Sequence, residues 1–170
     1  MRNNRTKIQR LALLGVLSAA SVILSYVEAV LPPVFSAVPG VKVGLANIVV
    51  IFALYRIGFS AAGMLSLVRI AAVALLFGSP ASFIYSMAGA ALSHLVMTLL
   101  KKSDFFSEVG VSVAGGVSHN LGQILAAMLL LETPSLGYYM IVLSVTGTLA
   151  GLFIGLCGAF LIDRLPKSIL

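Results

Sequence analysis

The chain has 170 residues, of which 60% are hydrophobic and 9% are charged. A soluble domain carries about 25% charged residues, so the composition excludes that class and indicates an integral membrane protein. The net charge of +6 does not indicate nucleic-acid binding, because the basic residues are scattered at the ends of apolar segments and form no hydrophilic face. The single cysteine, Cys157, lies inside an apolar segment, which excludes an internal disulfide or a CxxC metal site.

Apolar segments follow one another along the chain, most of them about 17 to 25 residues long, which is the length of a bilayer-spanning helix. They cover residues 11–31, 43–57, 61–77, 80–100, 109–131 and 137–162. We therefore predict an all-α integral membrane protein, a six-transmembrane-helix bundle that forms one membrane domain over residues 1–170. Residues 1–10 are predicted to form a basic N-terminal tail, and residues 32–42 an outer loop that acts as a gate. The first segment is too long for a cleaved signal peptide.

The distribution of basic residues predicts the orientation of these helices. With both termini in the cytoplasm, nine basic residues lie at inner ends of segments, Lys42 lies at an outer end, and Arg69 lies within the membrane. A missed or additional helix would have diluted this asymmetry. We therefore expect a multi-pass membrane protein with both termini in the cytoplasm.

The fifth segment contains the motif Gly-Gly-Val-Ser-His-Asn-Leu-Gly-Gln at residues 115–123. Polar groups at membrane depth are costly and usually functional. On a helix, Ser112, Gly116, His119 and Gln123 share one face, with Asn120 at its margin. This face predicts a helix that lines an internal site, although an interhelical polar clasp would also explain it.

Other polar residues are predicted at similar depth. Counted at about 1.5 Å per residue, Asn47, Arg69 and the polar residues of the fifth segment lie about 12 to 20 Å from the cytoplasmic side, whereas Glu28 lies at about 27 Å. A guanidinium cannot lose its proton and needs a partner. Because no carboxylate is expected in this layer, we predict that the missing anion belongs to a ligand. The alternative is that Arg69 reaches headgroups or backbone carbonyls.

The remaining candidates leave alternatives open. Asn47 either faces the site or holds the outer loop, and Glu28 and Lys42 either join the site or form a rim ion pair of little energetic value. For His94, we predict a role in helix packing. The two histidines lack a third metal ligand and an HExxH pattern. With no catalytic triad, phosphate loop or paired carboxylates, we expect no enzymatic activity, no metal and no cofactor.

Small residues recur at four-residue spacing in two segments. Gly147, Gly151 and Gly155 predict close helix packing within the bundle, and Gly15 and Ala19 predict either such packing or a surface for docking another subunit.

With the motif at 115–123 and the motif Pro-Gly-Val-Lys-Val-Gly-Leu-Ala-Asn at residues 39–47, the chain resembles the Gx transporter family, also labelled heptaprenyl diphosphate synthase component I. That family is related to the S components of energy-coupling factor (ECF) transporters. The resemblance implies a membrane protein that binds a vitamin-like ligand under its outer loops and docks on a coupling subunit driven by two ATPases. The docking motif of S components is usually Ala-xxx-Ala, and its nearest match here is Gly15 and Ala19.

The resemblance also implies a second interpretation. The synthase label suggests a prenyl synthase partner, and related proteins are associated with flavin-linked electron transfer. Our first interpretation is an S-component-like binding protein for a small anionic or amphiphilic ligand. The second is a membrane accessory subunit of isoprenoid or quinone biosynthesis, or of a flavoprotein. The residues predicted to contact the ligand are Glu28, Lys42, Asn47, Arg69, His119, Asn120 and Gln123.

Overall fold

The computed structural model describes residues 2–30 and 43–165, in which the regular elements are helices. These are α1 Arg2–Val30, α2 Asn47–Arg56, α3 Phe59–Phe77, α4 Pro80–Lys102, α5 Glu108–Leu130 and α6 Met140–Arg164, with a 3-10 turn over Pro134–Tyr139. Within these ranges, five helices are long and apolar enough to cross a membrane, and α2 is the shorter exception. The chain is therefore an all-helical, multi-pass membrane protein.

The N-termini of α4 and α5 are set by serine caps, which satisfy backbone N–H groups that lack partners in the first turn. Before α4, the Ser79 hydroxyl accepts a hydrogen bond from the Ser82 backbone N–H at 3.2 Å, and the Ser82 hydroxyl accepts one from Ser79 at 2.9 Å. Before α5, the Ser107 hydroxyl accepts from the Gly110 backbone N–H at 3.2 Å. Both helices consequently begin within one residue of their predicted starts.

Helix α2 differs from the predicted second segment, because it has only 10 residues and begins at Asn47. Gly44 has a φ of +79°, a left-handed conformation that glycine adopts without strain and that interrupts a helix. At a rise of 1.5 Å per residue, α2 covers about 15 Å, half of the hydrocarbon thickness. Its residues from Val49 to Leu54 are all buried, so α2 packs inside the bundle.

The close approach of α5 and α6 depends on glycine. A Cβ placed on Gly151 would lie 2.7 Å from the Cα of Val113, and one on Gly155 would lie 2.8 Å from the Cα of Val109. Gly116 and Gly147 likewise meet with no room for a side chain. The small residues of α6 therefore serve packing within the bundle, as their spacing predicts.

Helix α1 is the most exposed element of the described bundle. It packs mainly on α3, and large apolar side chains such as Leu11, Val16 and Ile23 are exposed along it, as expected for a surface that faces lipid or another protein. The helix begins at Arg2, so residues 2–10, the predicted basic tail, are helical and continuous with it. The predicted gate and Lys42 lie outside the described residues.

Candidate functional site

A cavity of about 400 Å³ lies inside the bundle, between helices α1, α3, α4, α5 and α6 and the start of α2. It is lined by six of the residues predicted from the sequence to contact a ligand: Glu28, Asn47, Arg69, His119, Asn120 and Gln123. These residues come from four different helices, α1, α2, α3 and α5, so only the folded bundle brings them together. The seventh predicted contact, Lys42, lies outside the described residues.

The polar face of α5 supplies much of this wall. Gly116, His119 and Gln123 line the cavity with Asn120 beside them, which is the grouping that helical periodicity predicts. Ser112, one turn before Gly116, instead lines a smaller neighbouring cavity of about 30 Å³. The opposite face carries apolar side chains, such as the exposed Leu125 and Leu129.

Arg69 contributes the positive charge of the cavity from the middle of α3. Its side chain is partly buried, and its Nε atom is buried without a hydrogen-bond partner among the described residues. A buried donor without a partner loses its hydration and gains nothing in return. The guanidinium therefore lies where a negatively charged ligand would complete its hydrogen bonding.

The position of Glu28 differs from what the sequence led us to expect. We expected no carboxylate at the depth of Arg69, yet Glu28 lines the same cavity, and its Oε1 atom accepts a hydrogen bond from the backbone N–H of Gly44. Counting residues along each segment could not show how the helices are placed relative to one another, and it therefore misjudged whether Glu28 reaches the cavity of Arg69. The cavity thus holds an acceptor as well as a cation.

Asn120 combines two of the roles considered for the polar face of α5. Its Nδ2 atom donates a hydrogen bond to the carbonyl oxygen of Leu143 on α6 at 2.7 Å, which is an interhelical clasp, and the residue also lines the cavity. The hydrogen bond fixes the carboxamide, so its orientation toward the cavity is set by α6.

His94 lies apart from this group, as a packing histidine would. Its ring stacks on Phe59 with centroids 4.4 Å apart, and it lines only the smaller cavity of the two. Among the described residues, no three His, Cys, Asp or Glu side chains are grouped so that they could hold a metal ion.

Further polar side chains line the large cavity that the sequence did not single out as ligand contacts. They are Ser25 on α1 and Ser82, Tyr85 and Ser86 on α4. No feature of the sequence marked the three residues on α4. Ser25 shares the face of Glu28 three residues later, a spacing that could have indicated it.

The predicted docking pair lies away from the cavity. Gly15 and Ala19 are both exposed on α1, and a Cβ on Gly15 would meet nothing within 4 Å. Packing within the described bundle therefore does not explain why small residues occupy these positions.

Comparison with known proteins identifies the family of the chain. No curated protein matches the chain. No solved structure matches it either. The family model described as heptaprenyl diphosphate synthase component I matches residues 17–161, a range that includes the lining residues of the cavity described above. The chain therefore belongs to the heptaprenyl diphosphate synthase component I family.

Proposed function

We propose that this protein is the substrate-binding component of a membrane transport system, similar to the S components of ECF transporters. It binds a small micronutrient or cofactor-type ligand that is anionic or amphiphilic. Separate ATPase subunits supply the energy. The observation that carries the proposal is the convergence of six polar residues from four helices on one cavity around Arg69.

The chemistry of the cavity wall defines the ligand class. Arg69, His119, Asn120 and Gln123 offer hydrogen-bond donors suited to a carboxylate or phosphate, while Glu28 suits a donor elsewhere on the ligand. Apolar residues complete the wall, among them Ile70, Val73, Phe83 and Ile124. A volume of about 400 Å³ falls at the lower end of the range for small-molecule sites, which favours a vitamin-sized compound over a long polyprenyl chain.

The proposed topology has six membrane passages with both termini in the cytoplasm of a bacterial cell. Helix α2 is too short to span alone, and it is preceded by the irregular residues 43–46, of which the last two form a turn. Irregular backbone is tolerated at membrane depth where it lines a cavity, and Gly44 and Asn47 do so. The charge asymmetry of the segment ends supports the orientation.

The exposed small residues of α1 are the proposed contact with a coupling subunit. Small side chains let helix backbones approach closely in a membrane, and Gly15 and Ala19 are exposed to such a partner. Residues 32–42 are proposed to cover the cavity from the outer side.

A second candidate function is supported by the family description itself, which names a synthase component. In that case, the protein is a non-transporting membrane subunit that works with a prenyl synthase or a flavoprotein. The same cavity would then contact a lipid headgroup or the polar part of a quinone.

Purification of the tagged protein from its native membrane separates the two candidates. Transport predicts that a membrane coupling subunit and a pair of ATPases accompany it in fixed ratio, and that an Ala19→Leu variant loses them. A prenyl synthase or flavoprotein in their place would contradict transport and support the accessory role. An Ala91→Leu variant is the matched control, because Ala91 is also exposed but lies on α4.

A further inference from the structure

We propose that the small cavity beside the ligand cavity is a binding site for one internal water molecule, which hydrogen-bonds His94 and connects it to His119. This inference does not depend on transport. It assigns a role to a histidine that the ligand cavity leaves unused.

The need for a water arises from His94 itself. Both its Nδ1 and Nε2 atoms are buried without a well-formed hydrogen bond among the described residues, and the backbone of Phe59 can partner at most one of them. A neutral imidazole carries one donor and one acceptor, so at least one hydrogen-bonding group would remain unsatisfied. Buried polar groups in native proteins almost always have a partner, either protein or ordered water.

The space for this water is present. The small cavity measures about 30 Å³, which exceeds the roughly 10–15 Å³ that one water molecule requires. Its polar lining residues are Asn47, Ser66, Ser93, His94, Ser112 and His119. A buried water typically makes about three hydrogen bonds, and the wall carries more than three polar residues.

The neighbours of His94 hold its ring beside the cavity. Phe59 stacks on one side at 4.4 Å between centroids. A Cβ on Gly63 would lie 3.1 Å from Nε2, so the ring packs closely against α3 where that helix has no side chain. Ser93 on the same helix is fixed because its hydroxyl donates to the carbonyl oxygen of Gly115 at 2.8 Å.

His119 joins the two cavities, because it lines both of them. Within the described residues, the titratable or charged groups around the pair of cavities are Glu28, Arg69, Tyr85, His94 and His119. An anion bound at Arg69 would favour a protonated imidazole nearby. The water gives that proton a path from one ring to the other.

Nuclear magnetic resonance of the protein in lipid bilayers tests this proposal, because the chain has only two histidines. With ¹⁵N-labelled histidine, a His94→Gln variant assigns the two imidazole signals. Magnetisation is then transferred from water to the ring nitrogens. We expect transfer to both rings, and a His94 ¹⁵N shift typical of a hydrogen-bonded imidazole.

Filling the small cavity provides the decisive comparison. Ser66 lines the small cavity and is absent from the wall of the large one, so Ser66→Val should reduce the transfer to His94 several-fold and leave that to His119 in place. Ala90→Val serves the same purpose if Ser66→Val does not fold, and Ser144→Val, which lines neither cavity, should change nothing. A wild-type His94 that receives no magnetisation from water, or a transfer that both filling variants leave unchanged, would overturn the proposal.

Discussion

Gly89 on α4 lies directly against His119 on α5. A Cβ at position 89 would be 2.7 Å from the carbonyl oxygen of His119 and 3.2 Å from its Cε1 atom. The same Cβ would lie 2.7 Å from the Cγ of Gln123. Two of the polar side chains in the cavity wall are thus positioned by the absence of a side chain on the neighbouring helix.

This contact predicts that Gly89→Ala damages both stability and the site. The added methyl group meets a backbone carbonyl that cannot rotate away, and overpacking of this kind costs about 1–3 kcal/mol. We expect a lower midpoint of thermal unfolding in detergent and weaker ligand retention. Gly110→Ala is the control, because its Cβ would meet nothing closer than 3.6 Å. Equal midpoints for the two variants would contradict the close contact.

Lys101 is predicted to stabilise the C-terminal end of α2. Its Nζ atom donates to the carbonyl oxygen of Leu54 at 2.6 Å and lies 4.9 Å from the centre of the Tyr55 ring. A charged donor at a helix C-terminus is favourable, so Lys101→Met should reduce the free energy of unfolding by about 1 kcal/mol. Lys102→Met removes the same charge from an exposed neighbour. A loss of the same size in that variant would show that the bond to Leu54 contributes nothing.

Asn120 should matter for the junction of α5 and α6. Replacing it with alanine removes the hydrogen bond to Leu143, and interhelical hydrogen bonds in membranes contribute about 0.6 kcal/mol on average. Asn120→Ala should therefore lower the unfolding midpoint slightly, while ligand retention falls further because the residue also lines the cavity. Thr148→Ala is a suitable control, since its hydroxyl bonds only within α6. If Asn120→Ala retained as much ligand as wild type, Asn120 would not be a ligand contact.

The exposed pair on α1 predicts an effect on assembly without an effect on folding. Ala19→Leu places a large side chain on an exposed surface, so the unfolding midpoint and ligand retention should match wild type. Recovery of partner subunits should fall several-fold, because close helix approach requires small residues. Full recovery of partners would show that this face of α1 is not the docking surface.

The sequence predicted the helical class and six of the ten polar side chains in the cavity wall for identifiable reasons. His119 and Gln123 were found because a 3.6-residue period places them on one face, and Arg69 because a charge at membrane depth demands a partner. The place of Tyr85 in the wall was not predicted, and Glu28 was expected too far from the depth of Arg69, since the relative positions of the helices depend on packing. The late start of α2 was not predicted, because hydropathy gives no information about the backbone conformation of Gly44.

The most direct test of the central claim is native mass spectrometry of the gently solubilised protein. If Arg69 binds the anionic part of a ligand, wild type should retain a small molecule with a carboxylate or phosphate group, and folded Arg69→Gln should have lost it. Arg10→Gln, which removes an exposed charge, should retain the molecule as wild type does. A folded Arg69→Gln protein that carries the same ligand in the same amount would contradict the account.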